Sequence, residues 1–223
     1  MKREIGSPVS GIWLLGDSNP INWDKQLGAP FDPRHPARHS IWTSVLDVIQ
    51  DRLYRDSARL RLDSSVLFIR NAVANASDKP RPGDSRWSER VAAEIRSYTQ
   101  LVQEACRPDG ARPWLILTFG AFAFEFARRA LEADLPGFGE RPYRYWGAKR
   151  LGEEFGERID GVSGTAEAAV LPLLHVSIAR GRFLESHRDF CGDPNANYFD
   201  YVGGELARCI LRHKNQLGHL FVR

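Results

Sequence analysis

The chain has 223 residues, 43% of them hydrophobic, with 31 basic and 28 acidic side chains and a net charge of +3, so it can bury a real core and its charge alone names no partner. Cys106, Cys191 and Cys209 are odd in number and lack CxxC spacing, which argues against a zinc or iron–sulfur site and fits a reducing cytoplasm. The opening MKREIGSPVS has no apolar core of a secretory leader, and no stretch reaches the ~18 apolar residues of a membrane span; a soluble, cytoplasmic protein with no membrane partner is expected.

The first apolar run, Gly11–Gly16, stops abruptly in Asp17, Ser18, Asn19 and Pro20. A buried parallel strand looks like this when it delivers polar side chains to the carboxyl edge of a sheet, where open α/β folds place their ligands. A loop rich in Pro and Arg follows, from Asn19 to His39. Ser40 is a good N-cap for a helix reaching Tyr54, with Ile41, Val45, Val48, Ile49 and Leu53 on one face. Ser65–Asn71 reads as a second buried strand and Ser77–Asp84 as a polar loop. Val91, Ile95, Tyr98, Val102 and Ala105 then recur at helical spacing. Trp114–Phe119 is a third strand, ending in Gly120, and Ala121–Leu131 an apolar helix. Residues 134–168, rich in Gly and charge, read as an insertion, with a hairpin through Tyr143–Trp146. Ala169–Leu174 is a fourth strand, ending at His175. The last helix runs from Ala196 to His213, with Phe199, Val202, Leu206 and Ile210 facing inward.

Alternating strands and helices predict a three-layer α/β/α sandwich around a central, mainly parallel four-stranded sheet. The whole chain, 1–223, reads as one domain. Right-handed crossovers collect the strand ends on one edge. Three of the four ends carry polar groups suited to chemistry: Asp17, Ser18 and Asn19 on the first, Asn71 on the second, His175 on the fourth. Each also has a plain structural use. Asp17 can cap a turn, Asn19-Pro20 is a common turn pair, and Asn71 and His175 can simply end strands. Basic clusters at Arg34–Arg38, Lys79–Arg90, Arg141–Arg150 and Arg180–Arg188 suit solvated loops or an anionic partner.

Four segments in order, Gly16–Pro20, Asn71-Ala72-Val73, Gly120–Phe124 and His175-Val176-Ser177 followed by Ala179-Arg180-Gly181-Arg182-Phe183, resemble the motifs of the uracil-DNA glycosylase superfamily. The likeness spans about Gly11 to Leu211. It implies a DNA glycosylase that flips a pyrimidine out of DNA and hydrolyses its N-glycosidic bond; no cofactor or metal is expected, and nothing in the sequence requires more than a monomer. It places Asp17 or Asn19 at the attacking water, His175 on the departing base oxygen, and Asn71 on the base edge. Ser18, Trp23 and Phe31 become substrate-binding candidates, with Trp42 a further stacking candidate. Ser177, Arg180, Arg182, Phe183, Arg34 and Arg38 become DNA contacts. A monofunctional enzyme is expected, since no lysine stands at a motif position.

The departures are specific. Gly-Asp-Ser-Asn-Pro is one residue longer than the family's form, Ile21 replaces the Tyr that many members carry after the Pro, and Val176 replaces the Pro of His-Pro-Ser. These changes leave room for a base bulkier than uracil. Uracil, a 5-substituted uracil and a modified or glucosylated cytosine of phage DNA all stay open, the last implying a role in defence. Two other readings accompany this one: a DNA-binding relative that has lost catalysis, and an esterase of the GDS type using Ser18. The esterase needs a late Asp-x-x-His, and the only such pair, Asp32-x-x-His35, lies just after the first strand.

Overall fold

A computed structural model describes residues 4–18, 42–56, 59–63, 67–106, 114–163, 168–175 and 184–222, with the backbone alone for 42–44 and 219. Four apolar runs make the parallel part of a sheet: β2 (Ile12–Gly16), β3 (Leu67–Asn71), β4 (Leu115–Phe119) and β5 (Ala169–Leu173). Every residue of β2 and β4 is buried, which is why they read as continuous apolar runs rather than alternating ones. Among the described residues the sheet has five strands, not the expected four. Its fifth, β1 (Glu4–Ile5), runs antiparallel on the edge of β3, giving the order β1-β3-β2-β4-β5. Two residues without an apolar pattern carry no strand signal. The short strand is anchored instead by Arg70, whose buried guanidinium bonds Glu4 at 3.1 Å and Glu94 at 3.4 Å.

Among the described residues six α-helices accompany the strands. In chain order they are α1 (Trp42–Asp56), α2 (Glu89–Ala105), α3 (Ala121–Leu131), α4 (Ala148–Gly161), α5 (Leu184–Cys191) and α6 (Tyr198–Arg212). Val45, Ile49 and Leu53 form the buried stripe of α1, which packs on α6. Gly203 allows that approach, since a Cβ there would lie 2.6 Å from Val48. Helix α2 packs on α3 instead. The chain leaves β2 for β3 on one side and then crosses back to β4 on the other, so right-handed crossovers set α1 and α2 on opposite faces. This α/β architecture is compatible with a three-layer sandwich. Among the described residues no helix is long and apolar enough to cross a membrane.

The region 134–168 differs from expectation. Its described residues hold no hairpin. Tyr143–Tyr145 is a single turn of 3-10 helix, and α4 follows it and covers β5. Leu151, Phe155 and Ile159 give α4 its buried stripe, but Gly152, Gly156, Gly161 and dense charge hide that period in the sequence. Gly152 is required by packing: a Cβ there would fall 1.8 Å from the carbonyl oxygen of Phe190 on α5. The last helix begins at Tyr198, capped by the Asn197 side chain, which accepts from the Phe199 and Asp200 N–H groups. Tyr198 therefore takes the buried place expected of Phe199.

A buried carboxylate ties this region to the sheet. Glu125 on α3 has no exposed surface. It accepts from Arg128 (2.7 Å), Arg129 Nε (2.9 Å), the Arg141 backbone N–H (2.8 Å) and Trp146 Nε1 (2.8 Å). Arg129 continues to the Ser85 and Arg141 carbonyls, both at 2.8 Å. Removing one partner of a buried ionic network costs more than the network contributes, because the remaining charges are stranded. Glu125→Ala should lower unfolding free energy by about 3 kcal/mol in urea denaturation, with Glu125→Gln, which keeps two acceptor lone pairs, falling between.

Candidate active site

All four parallel strands end on one edge. In the sheet, Gly16 is in register with Asn71, and Leu15 with Thr118. The strand order reverses between β2 and β4, which makes the space beyond their carboxyl ends the expected ligand crevice of such a sheet. Asp17 and Ser18 leave β2 there. Asn71 closes β3, and the chain continues across the edge with Ala72 N–H on the Gly16 carbonyl (2.8 Å) and Val73 N–H on that of Asp17 (3.3 Å). Beyond β5, the Leu174 N–H donates to the buried Tyr198 hydroxyl at 2.9 Å, fixing the backbone one residue before His175.

Gly120 follows β4 and holds the floor of this edge. Its N–H bonds the Leu173 carbonyl at 2.8 Å. Its φ of +98° is a conformation that residues with a Cβ rarely adopt. A Cβ there would also come within 2.8 Å of the His175 Cβ. Glycine is therefore required both by backbone conformation and by the approach of the imidazole.

The carboxylate of Asp17 is the centre of the cluster. Its side chain is 10% exposed. Oδ2 lies 2.6 Å from Lys79 Nζ and 3.6 Å from His175 Nε2. Oδ1 is buried and meets no hydrogen-bond donor among the described residues. Lys79 Nζ also sits 5.3 Å from the centre of the Phe122 ring and 5.6 Å from that of Tyr143. The ammonium is thus held between one carboxylate and two aromatic faces.

Lys79 belongs to none of the four sequence motifs. The basic cluster Lys79–Arg90 by its composition suits a solvated loop or an anionic partner. A 3-10 turn, Ala76–Asp78, aims it inward, with the Asn75 side chain on Asp78 (3.1 Å) and Arg90 on the same carboxylate (2.9 Å). Tyr143 was also missed as a site residue. Burial raises its phenol pKa, and the Asp17 charge raises it further, so it stays a neutral ring at the wall of the site.

The structure therefore brings Asp17 and His175 together, with Asn71 and Ser18 on the same edge and half-buried. Asn19, Trp23, Phe31, Arg34, Arg38, Ser177, Arg180, Arg182, Phe183 and the Trp42 side chain lie outside the described residues. Among the described residues, no three His, Cys, Asp or Glu side chains group as metal ligands would. A comparison with protein-family models finds no match for the chain, and a comparison with curated proteins finds none either.

The His175 ring feels three effects. Burial lowers its pKa below the ordinary 6.5; the Asp17 carboxylate raises it, and the Lys79 ammonium lowers it again. The balance keeps the imidazole neutral at pH 7. By NMR titration, His175 should protonate below pH 6.5. Lys79→Met, which removes the repelling cation, should move the midpoint up. Asp17→Asn, which removes the attracting anion, should move it down. A midpoint unmoved by both variants would separate the three groups.

Proposed function

We propose that this protein is a DNA glycosylase that flips a pyrimidine out of DNA and hydrolyses its N-glycosidic bond to leave an abasic site. The observation that carries this reading is the Asp17–His175 pair, a largely buried carboxylate and a neutral imidazole 3.6 Å apart at the carboxyl edge of the sheet, with Asn71 ending the strand beside Asp17. Breaking an N-glycosidic bond leaves positive charge on the sugar and negative charge on the base. The two groups answer those two charges. Asp17 favours the cation and offers Oδ1 to a water. His175 donates from its neutral ring to the departing base oxygen. A preorganised donor at the developing anion is worth ~10²–10³ in rate. Asn71 carries a donor and an acceptor, the pair a pyrimidine edge requires.

DNA is the proposed partner, and a flipped base is the only form in which these groups can reach C1′. Arg34, Arg38, Ser177, Arg180 and Arg182 are proposed to contact phosphates, which orient the protein without reading sequence; Phe183 would fill the space left by the base. Ser18 borders the carboxylate and is proposed to contact substrate. Trp23 and Phe31 are proposed stacking surfaces. The site is proposed to take uracil or a larger substituted pyrimidine, including the hypermodified cytosines of phage DNA, in which case the protein acts in antiviral defence.

The test is direct. Oligonucleotides carrying uracil, 5-substituted uracils and modified or glucosylated cytosines are incubated with the protein, and abasic sites are revealed by alkaline cleavage. One of these strands should break. His175→Ala should slow excision by ~10²–10³. Asp17→Asn should abolish it. Asn71→Ala should change the order of preferred bases as well as the rate. An active Asp17→Asn beside an inactive Asn19→Ala would move the water to Asn19. Tight DNA binding with no broken strand in the whole panel would identify a non-catalytic DNA-binding protein instead.

A further inference from the structure

The hydrolytic reading leaves Lys79 without a role, and electrostatically it works against that reading. A carboxylate that stabilises a sugar cation loses part of that effect when an ammonium already sits 2.6 Å from its Oδ2. Lys79 Nζ also lies directly against the carboxylate that the proposed function sets beside the reacting carbon. A group held against Asp17 Oδ2 is beside whatever Asp17 faces, and under the proposed function that is C1′ of the extruded nucleoside. We propose that Lys79 is a catalytic amine that forms an imine with C1′ of the abasic sugar, giving the glycosylase a second, strand-cutting step. This inference rests on the proposed function for its placement of C1′, and it replaces the expectation of a monofunctional enzyme.

The step balances with the groups present. Asp17 Oδ2 takes a proton from the Lys79 ammonium along their hydrogen bond. The freed amine attacks the C1′ aldehyde of the ring-opened abasic sugar; the C–N bond forms, and the carbonyl π pair moves to oxygen, which takes the second amine proton. Asp17 returns its proton to that hydroxyl, water leaves, and a protonated imine remains. His175, neutral at pH 7, then takes a proton from C2′. The electrons left at C2′ expel the 3′ phosphate by breaking the C3′–O bond. Water hydrolyses the imine and restores the lysine. No electron is gained or lost overall.

The surroundings of Nζ suit this cycle. The protonated imine carries its positive charge on the same nitrogen as the ammonium. Asp17 and the faces of Phe122 and Tyr143 therefore hold the intermediate as they hold the resting side chain. Both the proton acceptor at the start and the base at C2′ are already within 3.6 Å of one another.

The experiment supplies a ready-made abasic site, so it does not depend on which base the protein removes. The full chain is mixed with an abasic duplex and with an abasic single strand in the presence of sodium borohydride, which reduces an imine to a stable amine. A cross-linked species should form, and mass spectrometry of its peptides should place the adduct on Lys79. Without borohydride the strand should be cut on the 3′ side of the abasic site. Lys79→Arg keeps a cation against Asp17 but cannot form the imine, and its cross-link and cutting should fall to background. Should that variant fail to fold, the adduct position in the wild type decides. No cross-link on either DNA, or an adduct on any other lysine, overturns the proposal. Base excision by a wild-type protein that does not cross-link leaves the glycosylase reading standing and removes only the lysine step. A Lys79 adduct without excision of any base in the panel does the reverse.

Discussion

A charge with no exposed surface organises the wall of this site. Glu125 stands on the apolar helix α3, between Phe124 and Phe126, where an unpaired carboxylate would be untenable. Four donors from three places satisfy it: its own helix, the Arg141 backbone and the Trp146 indole. The segment before α4 is thereby drawn onto α3, and through Arg129 the loop at Ser85 is drawn in as well. Those two segments bring Tyr143 and Lys79 to the carboxyl edge of the sheet. Phe122, one helical turn before Phe126, completes the aromatic pair around the ammonium. The geometry at Asp17 is thus set partly by an ion network on a different element.

The sheet supplies the other half. Parallel strands in register deliver Asp17, Asn71 and His175 to one edge, and the strand order reverses there, the place where open sheets of this kind bind ligands. Gly120 lets β4 turn into α3 beneath the imidazole, where a methyl group would strike it. Tyr198 pins the end of β5 from the opposite side through the Leu174 N–H. Fold and site are therefore coupled at a few backbone positions, each stabilised by a single hydrogen bond or a single missing Cβ. The result places an anion, a cation and a neutral imidazole together in partial burial, where the carboxylate and the ammonium act on the imidazole in opposite senses.

Much of this was legible in advance, for physical reasons. Trp13-Leu14-Leu15 and Leu115-Ile116-Leu117 are apolar throughout because both faces of their strands are covered. Val91, Tyr98 and Val102 mark α2 because its outer face is solvated and its inner face is not. Helix α4 is hard to see in the sequence because glycines and charges fill most of its length, and only Leu151, Phe155 and Ile159 carry its period. Helix α5 was hidden inside a basic cluster that resembled a loop. Strand β1 was too short to have any period. Asp17, Asn71 and His175 were identifiable because they follow apolar runs, where the end of a buried strand must lie.

By itself, the order of apolar runs and turns determined an α/β chain with a mainly parallel sheet, and with it the edge at which the polar strand ends collect. That follows from backbone hydrogen bonding and handedness, which need only the pattern of burial. Only the tertiary structure decided which distant side chains meet there. Lys79 lies 62 residues from Asp17, and nothing local distinguishes it from a solvated loop lysine. Its place depends on the turn at Ala76–Asp78, the aromatic faces of Phe122 and Tyr143, and the carboxylate it neutralises. Such a contact is a property of packing between segments, and no periodicity within one segment encodes it.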